Sequence, residues 1–343
     1  MLLLVDPIPF GHHPWLVSHL HELFSKVGHT KVMVEQKKHA PFRSNKMLPF
    51  SMGFLCSIVL SIIRGGRSYK QHVILCWDEI WPLSIIIIIP YLIFRKNFLW
   101  VLMFRAGFLG NKPRIIDKIK ELFFLPMRLL MGKRFRLLAT RPDYQFRSWA
   151  KYFPDLLSHG IGHVEELPNW PLSKRVLLFI GSPDDERKGF ARLSRFIEIL
   201  PNDIVIAVQE PQNRIHRSKV MSNSGRFFLM PTRLTEDQKR WAFGHSAAVV
   251  MPYPTTFPGS SGVVNDAIMH YCPYISTPFP YARWFSSRFS VGRLVSFDSC
   301  EEIVDALESL ILRDCSSIGA ARKFLMQRQG DIIKHIVSIE MVK

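Results

Sequence analysis

Acid is what this chain has too little of: 28 aspartates and glutamates face 45 lysines and arginines, a formal net charge of +17 over 343 residues. Such an imbalance points to an anionic partner, whether nucleic acid, an acidic membrane surface or phosphorylated substrates. Cysteine is scarce: Cys56, Cys76, Cys272, Cys300 and Cys315 form no CxxC pair and keep no regular spacing. A disulfide framework and a structural zinc therefore lack support, and a reducing cytoplasm is expected. No His, Cys or Asp cluster has metal-ligand spacing, so neither a metal nor a cofactor is expected. Long apolar runs are also missing. The most apolar stretch, Ile80 to Phe94, is interrupted by Pro82 and Pro90, and it falls short of the roughly 20 residues a spanning helix needs. It reads as a helix buried against a sheet, with a monotopic membrane contact as the less favoured alternative. Met1-Leu2-Leu3-Leu4-Val5 meets Asp6 at once, so no secretory leader is expected. Internal repeats and low-complexity tracts are absent.

What is present is alternation. Hydrophobic residues make up 48% of the chain and charged ones 21%, a globular composition, and the length fits two α/β domains. Leu2–Val5, Lys31–Glu35, His72–Trp77, Phe98–Phe104 and Leu137–Thr140 read as strands separated by helical segments. The pattern breaks at Glu165-Glu166-Leu167-Pro168-Asn169-Trp170-Pro171. A second series follows, with strands expected at Val176–Ile180, Ile204–Val208, Phe227–Met230, Ala247–Met251, Tyr274–Ser276 and Leu294–Phe297. Helices are expected at Phe190–Leu200, Glu301–Leu312 and Ser317–Ile336. The expected division is 1–163, a linker over 164–174, 175–315, and a terminal helix 316–343 folding back on the first domain. Two doubly wound sheets of this kind bind ligands beyond the carboxyl ends of their strands.

Two segments carry chemistry. In the first, a strand ends at Ile180 and is followed by Gly181-Ser182-Pro183-Asp184-Asp185-Glu186-Arg187-Lys188-Gly189. Gly181 permits a tight turn, and Lys188 stands at the start of a helix, where a cation beside free N–H groups suits a diphosphate. The plainer reading is a solvated Arg-Lys pair answering three acids. In the second, a strand runs into Pro258-Gly259-Ser260-Ser261-Gly262-Val263, then an apolar helix bearing Asp266, then Pro273 and a new strand. Amides of the turn suit phosphate, and a carboxylate one helical turn later suits the hydroxyls of a ribose or sugar. Any βαβ unit shares this outline.

Together the two segments resemble the C-terminal half of family-4-like glycosyltransferases of the GT-B fold, over about residues 171–312. The resemblance implies an α/β chain of two Rossmann-like domains facing a cleft. It also implies a donor site of Gly181, Ser182, Arg187, Lys188, Ser260, Ser261, Gly262, Val263 and Asp266. Lys188 would meet the donor diphosphate, and Asp266 the nucleotide ribose. The family's paired acids lie eight positions apart, and eight before Asp266 stands Pro258. The acid that meets the donor sugar is therefore missing. Ser182 replaces a common arginine, for which Arg187 is a substitute, and Gln209-Glu210-Pro211 replaces a Gly-rich turn.

In the first domain, Gly11 and His12 sit where the family places an acceptor-side loop, with His13 beside them. The histidines serve as proton carrier or phosphate donor, or cap the following helix. Arg105 ends a strand near a position the family gives to a catalytic histidine, and the alternative is a surface arginine. Lys188, Arg105 and His13 are the catalytic candidates.

Lys112, Arg114, Lys118, Lys120 and Arg128 surround an apolar stripe containing Phe123 and Phe124. This reads as a membrane-surface helix or as an ordinary sheet-covering one. The expectation is a metal-independent, retaining glycosyltransferase at the inner membrane face, moving sugar from a nucleotide-sugar donor to a lipid-linked or polysaccharide acceptor. Nucleic acid is disfavoured, since no recognition motif interleaves the basic residues. A sugar-nucleotide epimerase and a catalytically silent basic binding protein stay open.

Overall fold

A strand without polar residues on either face needs cover on both, and Phe98–Met103 (FLWVLM) is such a strand. The computed structural model describes residues 2–6, 13–27, 32–36, 71–74, 98–103, 115–144, 146, 148–154, 164–223, 225–257, 261–311 and 316–341. The chain divides into two units, residues 1–158 with 326–343, and residues 159–325.

In the first unit β1 (Leu2–Asp6), β2 (Val32–Gln36), β3 (Gln71–Ile74), β4 (Phe98–Met103), β5 (Phe135–Ala139) and β6 (Ala150–Tyr152) form a parallel sheet ordered β2-β1-β3-β4-β5-β6. Leu2 pairs with Val32 on one side and Gln71 on the other, and Leu99 pairs with Phe135. Helices α1 (His13–Val27) and α2 (Ile115–Met131) follow β1 and β4. The short β6 was not expected from the sequence, because Ala150-Lys151-Tyr152 has neither length nor pattern. Its place comes from Trp149, whose ring stacks 6.0 Å from Phe135 and whose carbonyl accepts the Leu137 N–H. The stretch Ile80–Phe94 lies outside the described residues.

Helix α2 corrects part of the expected membrane face. Phe124 is buried and stacks on Phe135 at 5.8 Å, with Met127 and Met131 buried on the same side. It belongs to the core because its position in the helix faces the sheet. Arg128 lies over the Trp149 ring at 4.6 Å and is half-buried. The outward row is aliphatic: Ile115, Leu122 and Leu129, spaced seven apart, are 79%, 64% and 74% exposed, and Lys118 is exposed among them. Lys112 and Arg114 lie outside the described residues, as do the side chains of Lys120 and Phe123. Among the described residues no helix is long and apolar enough to cross a membrane.

The second unit repeats the architecture with β7 (Arg175–Phe179), β8 (Ile204–Gln209), β9 (Phe227–Met230), β10 (Ala248–Met251), β11 (Tyr274–Ser276) and β12 (Arg293–Leu294), in the order β12-β11-β10-β7-β8-β9. Strand order reverses between β7 and β10, so the loops leaving these neighbours border the crevice where open α/β sheets take ligands. Its helices are α3 (Phe190–Leu193), α4 (Arg214–Ser222), α5 (Glu236–Gly244), α6 (Gly262–Met269), α7 (Pro280–Phe289) and α8 (Cys300–Ile311), and α9 (Ser316–Met341) starts in this unit and belongs to the first from Met326 onward. The helix expected over Phe190–Leu200 stops at Leu193. Beyond it the N–H groups of Phe196 and Ile199 bond three residues back, in successive turns that still bury Phe196, Ile197 and Leu200.

Burial pushes the His270 imidazole down to about 4, with Arg240, Lys239 and Arg322 adding to the effect. The folded chain therefore holds it neutral while the unfolded chain takes up a proton near its ordinary 6.5. Stability is present above pH 6.5 and falls as pH drops from there toward 4, by up to roughly 3 kcal/mol. Urea denaturation of His270→Gln is expected to lose this slope between pH 7 and 4.

Candidate functional site

The exit of β7 is organised by side chains from its neighbours. Gly181 has φ +115°, and its N–H donates to Gln209 Oε1 at 2.9 Å. Gln209 Nε2 in turn donates to the Thr232 carbonyl at 2.9 Å. One amide at the end of β8 thus ties together the loops leaving β7 and β9. Asp184 accepts the N–H groups of Gln212 and Asn213, at 2.7 and 3.1 Å, and meets His216 Nδ1 at 3.0 Å. Against desolvation, which would raise it, these partners hold the Asp184 carboxyl below its ordinary value.

Asp185 grips its neighbour. It accepts the Arg187 backbone N–H and takes the guanidinium in two bonds of 2.8 Å each. The guanidinium beside it holds the Asp185 carboxyl below the usual range. Arg187 is therefore neutralised by an ion pair, and Asp184 and Asp185 act as loop staples. Ser182, exposed, turns its hydroxyl to the Asp184 N–H at 3.2 Å. Among the described residues no group of three or more His, Cys, Asp or Glu side chains is placed to hold a metal ion.

Lys188 and Gly189 join this loop to the one leaving β10. Gly189 has φ +71°, and a Cβ there would lie 1.9 Å from the Pro252 carbonyl oxygen. Only glycine allows that approach. The Lys188 stem runs past Gly181, where an added Cβ would meet its Cε at 3.2 Å. Its Nζ donates to the Tyr253 hydroxyl at 3.0 Å, and lies 4.6 Å from the Tyr253 ring centre and 6.0 Å from that of Phe257. Tyr253 is 1% exposed and packs against Phe257 and Phe279 at 4.9 and 5.3 Å. Thr277 Oγ1 donates to its carbonyl at 2.5 Å.

The same loop ends at α6. Ser261 is buried and caps the helix, its Oγ accepting the Val264 N–H at 3.4 Å. Nothing lies within 4 Å of where a Gly262 Cβ would be, whereas Val263 is buried. Asn265, wholly buried, accepts the Tyr281 hydroxyl at 2.7 Å. Asp266 is half-buried on the next turn. Lys188 is thus brought against the loop that opens into Ser261, Gly262, Val263 and Asp266.

Pro258 and Ser260 lie outside the described residues, as do Gly11, His12 and Arg105. His13 opens α1, and its side chain is outside the description as well. Tyr253 and Gln209 were missed as organisers. Tyr253 reads from sequence as the end of a hydrophobic strand, although the prolines on both sides mark a loop. Gln209 reads as a departure from a Gly-rich turn.

No protein-family profile and no curated protein matches the sequence. Solved structures do match. The chain is similar to the Anabaena HepE protein in complex with UDP, at 11% identity over 99% of both chains and a TM-score of 0.64. It is similar to sucrose-phosphate synthase from Thermosynechococcus elongatus, at 12% identity over 99% of this chain and 98% of that one, with a TM-score of 0.61. A third match is WaaG, a glycosyltransferase involved in lipopolysaccharide biosynthesis, at 12% identity over 99% of both chains and a TM-score of 0.56. The fold is therefore GT-B, as expected from the sequence.

Alanine at Gly189 must leave the left-handed region or displace Pro252, at a cost of about 3 kcal/mol or more. Thermal denaturation is expected to show a drop of several degrees for Gly189→Ala. Gly262→Ala, surrounded by open space, is expected to stay within about 0.5 kcal/mol of the parent.

Proposed function

We propose that this chain is a glycosyltransferase that moves a sugar from a nucleotide-sugar donor to a lipid-linked or surface-polysaccharide acceptor. The observation that carries the reading is Lys188: a cation held by a phenol and aromatic rings, at the strand-order reversal of a GT-B unit, beside the loop that starts α6. Two GT-B neighbours support the choice of donor and acceptor. HepE was solved with UDP-glucose, at 10% identity and a TM-score of 0.60, and WaaG is involved in lipopolysaccharide biosynthesis.

In the transfer, the bond from the sugar's anomeric carbon to the β-phosphate oxygen breaks, the acceptor hydroxyl oxygen bonds to that carbon and gives up its proton to the departing phosphate or to solvent, and negative charge grows on the leaving oxygen. The Lys188 ammonium and the N–H groups of Gly262 and Val263, at the start of α6, stabilise the departing diphosphate. Asp266 takes the nucleotide ribose. Retention of configuration and independence of metal belong to the same proposal. The absent acid at position 258 favours a second reading, a non-catalytic GT-B protein that binds its anionic ligand without turnover.

The test is nucleoside diphosphate release from a panel of nucleotide sugars. Lys188→Ala is expected to lower turnover about 100-fold while changing donor affinity far less. Equal loss of both would contradict a leaving-group role, and donor binding without release by the parent would select the second reading.

The aliphatic row on α2 and the net charge of +17 support work at an anionic bilayer on the inner membrane face. The chain is expected to sediment with phosphatidylcholine vesicles containing about one third phosphatidylglycerol, and much less with phosphatidylcholine alone. The double variant Leu122→Glu, Leu129→Glu is expected to stay in the supernatant with an unchanged melting temperature.

A further inference from the structure

Arg187 and Lys188 are adjacent cations with opposite fates. Arg187 is paired two-pronged with Asp185. Lys188 turns the other way, and its ammonium rests on neutral groups: the Tyr253 hydroxyl at 3.0 Å and the rings of Tyr253 and Phe257. A phenol oxygen satisfies one of the three ammonium donors without cancelling the charge. A carboxylate in its place would cancel it, and an incoming anion would have to displace that carboxylate.

We propose that Tyr253 is a positioning residue: it holds Lys188 against the β10–α6 loop with its positive charge intact, ready for the diphosphate of the ligand. This rests on the nucleotide-sugar reading above and extends it to a residue outside the expected donor site. Tyr253 is built for the task. Its ring packs in a three-ring cluster with Phe257 and Phe279, and its carbonyl is fixed by the Thr277 hydroxyl. The phenol oxygen therefore has little freedom, and the lysine, with four rotatable bonds, is aligned by a rigid partner. Loss of that hydroxyl leaves the ring packing in place and releases the ammonium to other rotamers.

The test uses the full-length chain and isothermal titration with UDP, GDP, ADP, CDP and dTDP, followed by the nucleoside that matches the tightest binder. Tyr253→Phe is expected to weaken the diphosphate about tenfold and to leave the nucleoside unchanged. In a Lys188→Ala background the same substitution is expected to have no further effect, which a role confined to packing would not produce. Binding of none of the five by the parent chain overturns the nucleotide-sugar reading and this inference with it. Diphosphate binding that is unchanged in Tyr253→Phe, or equal losses for diphosphate and nucleoside, overturns the inference alone. A wild-type measurement guards against a variant that fails to fold. The Lys188 ammonium signal in lysine-labelled NMR, assigned with Lys188→Arg, is expected to shift with the diphosphate and stay still with the nucleoside. No shift with the bound diphosphate overturns the inference.

Discussion

The approach of Gly189 to the Pro252 carbonyl is the constraint on which the candidate site depends. A Cβ at that glycine would lie 1.9 Å from the oxygen, so the loop leaving β7 and the loop leaving β10 meet without a side chain between them. The contact follows from topology, because β7 and β10 are neighbours at the point where strand order reverses. Once the two backbones touch, the residue before Gly189 has Tyr253 within reach. The residue before that is left to Asp185. A tight backbone contact thus sorts two adjacent cations into two roles.

The sorting matters for electrostatics. A chain of net charge +17 has no shortage of cations, but most surface charges are screened or paired and do little for a bound anion. What a diphosphate requires is a cation whose charge is not already met, held where backbone N–H groups also point. In the proposed site Lys188, hydrogen-bonded to the neutral Tyr253 hydroxyl, is to supply the first and the start of α6 the second. The two aspartates of the loop have hydrogen-bond partners of their own. Asp184 is engaged by two amides and His216, and Asp185 by Arg187.

Much of this was legible in the sequence. Strands rich in Val, Ile, Leu and Phe, separated by helical segments, announced two parallel sheets, and Gly181, Lys188-Gly189 and the Ser261-Gly262 turn marked the loops that leave β7 and β10, where strand order reverses. Three things were not legible, each for a physical reason. Tyr253 is buried by rings contributed from Phe257 and Phe279, and no local pattern reveals that its hydroxyl faces a lysine 65 residues earlier. The helix after Gly189 shortens to one turn because burial of Phe196, Ile197 and Leu200 is met by tighter turns, which share the same apolar spacing. On α2 both faces are apolar, so periodicity could not tell which one meets the sheet. Packing assigns Phe124 to the core and Ile115, Leu122 and Leu129 to the outside.

The central claim is that Lys188 is the cation of a diphosphate site built from the loops after β7 and β10. The most direct measurement is a crystal structure with the nucleoside diphosphate that binds tightest. The account predicts a phosphate oxygen within hydrogen-bond reach of Lys188 Nζ and of an N–H group at the start of α6. A diphosphate bound away from both, with the ammonium still on Tyr253, would contradict it.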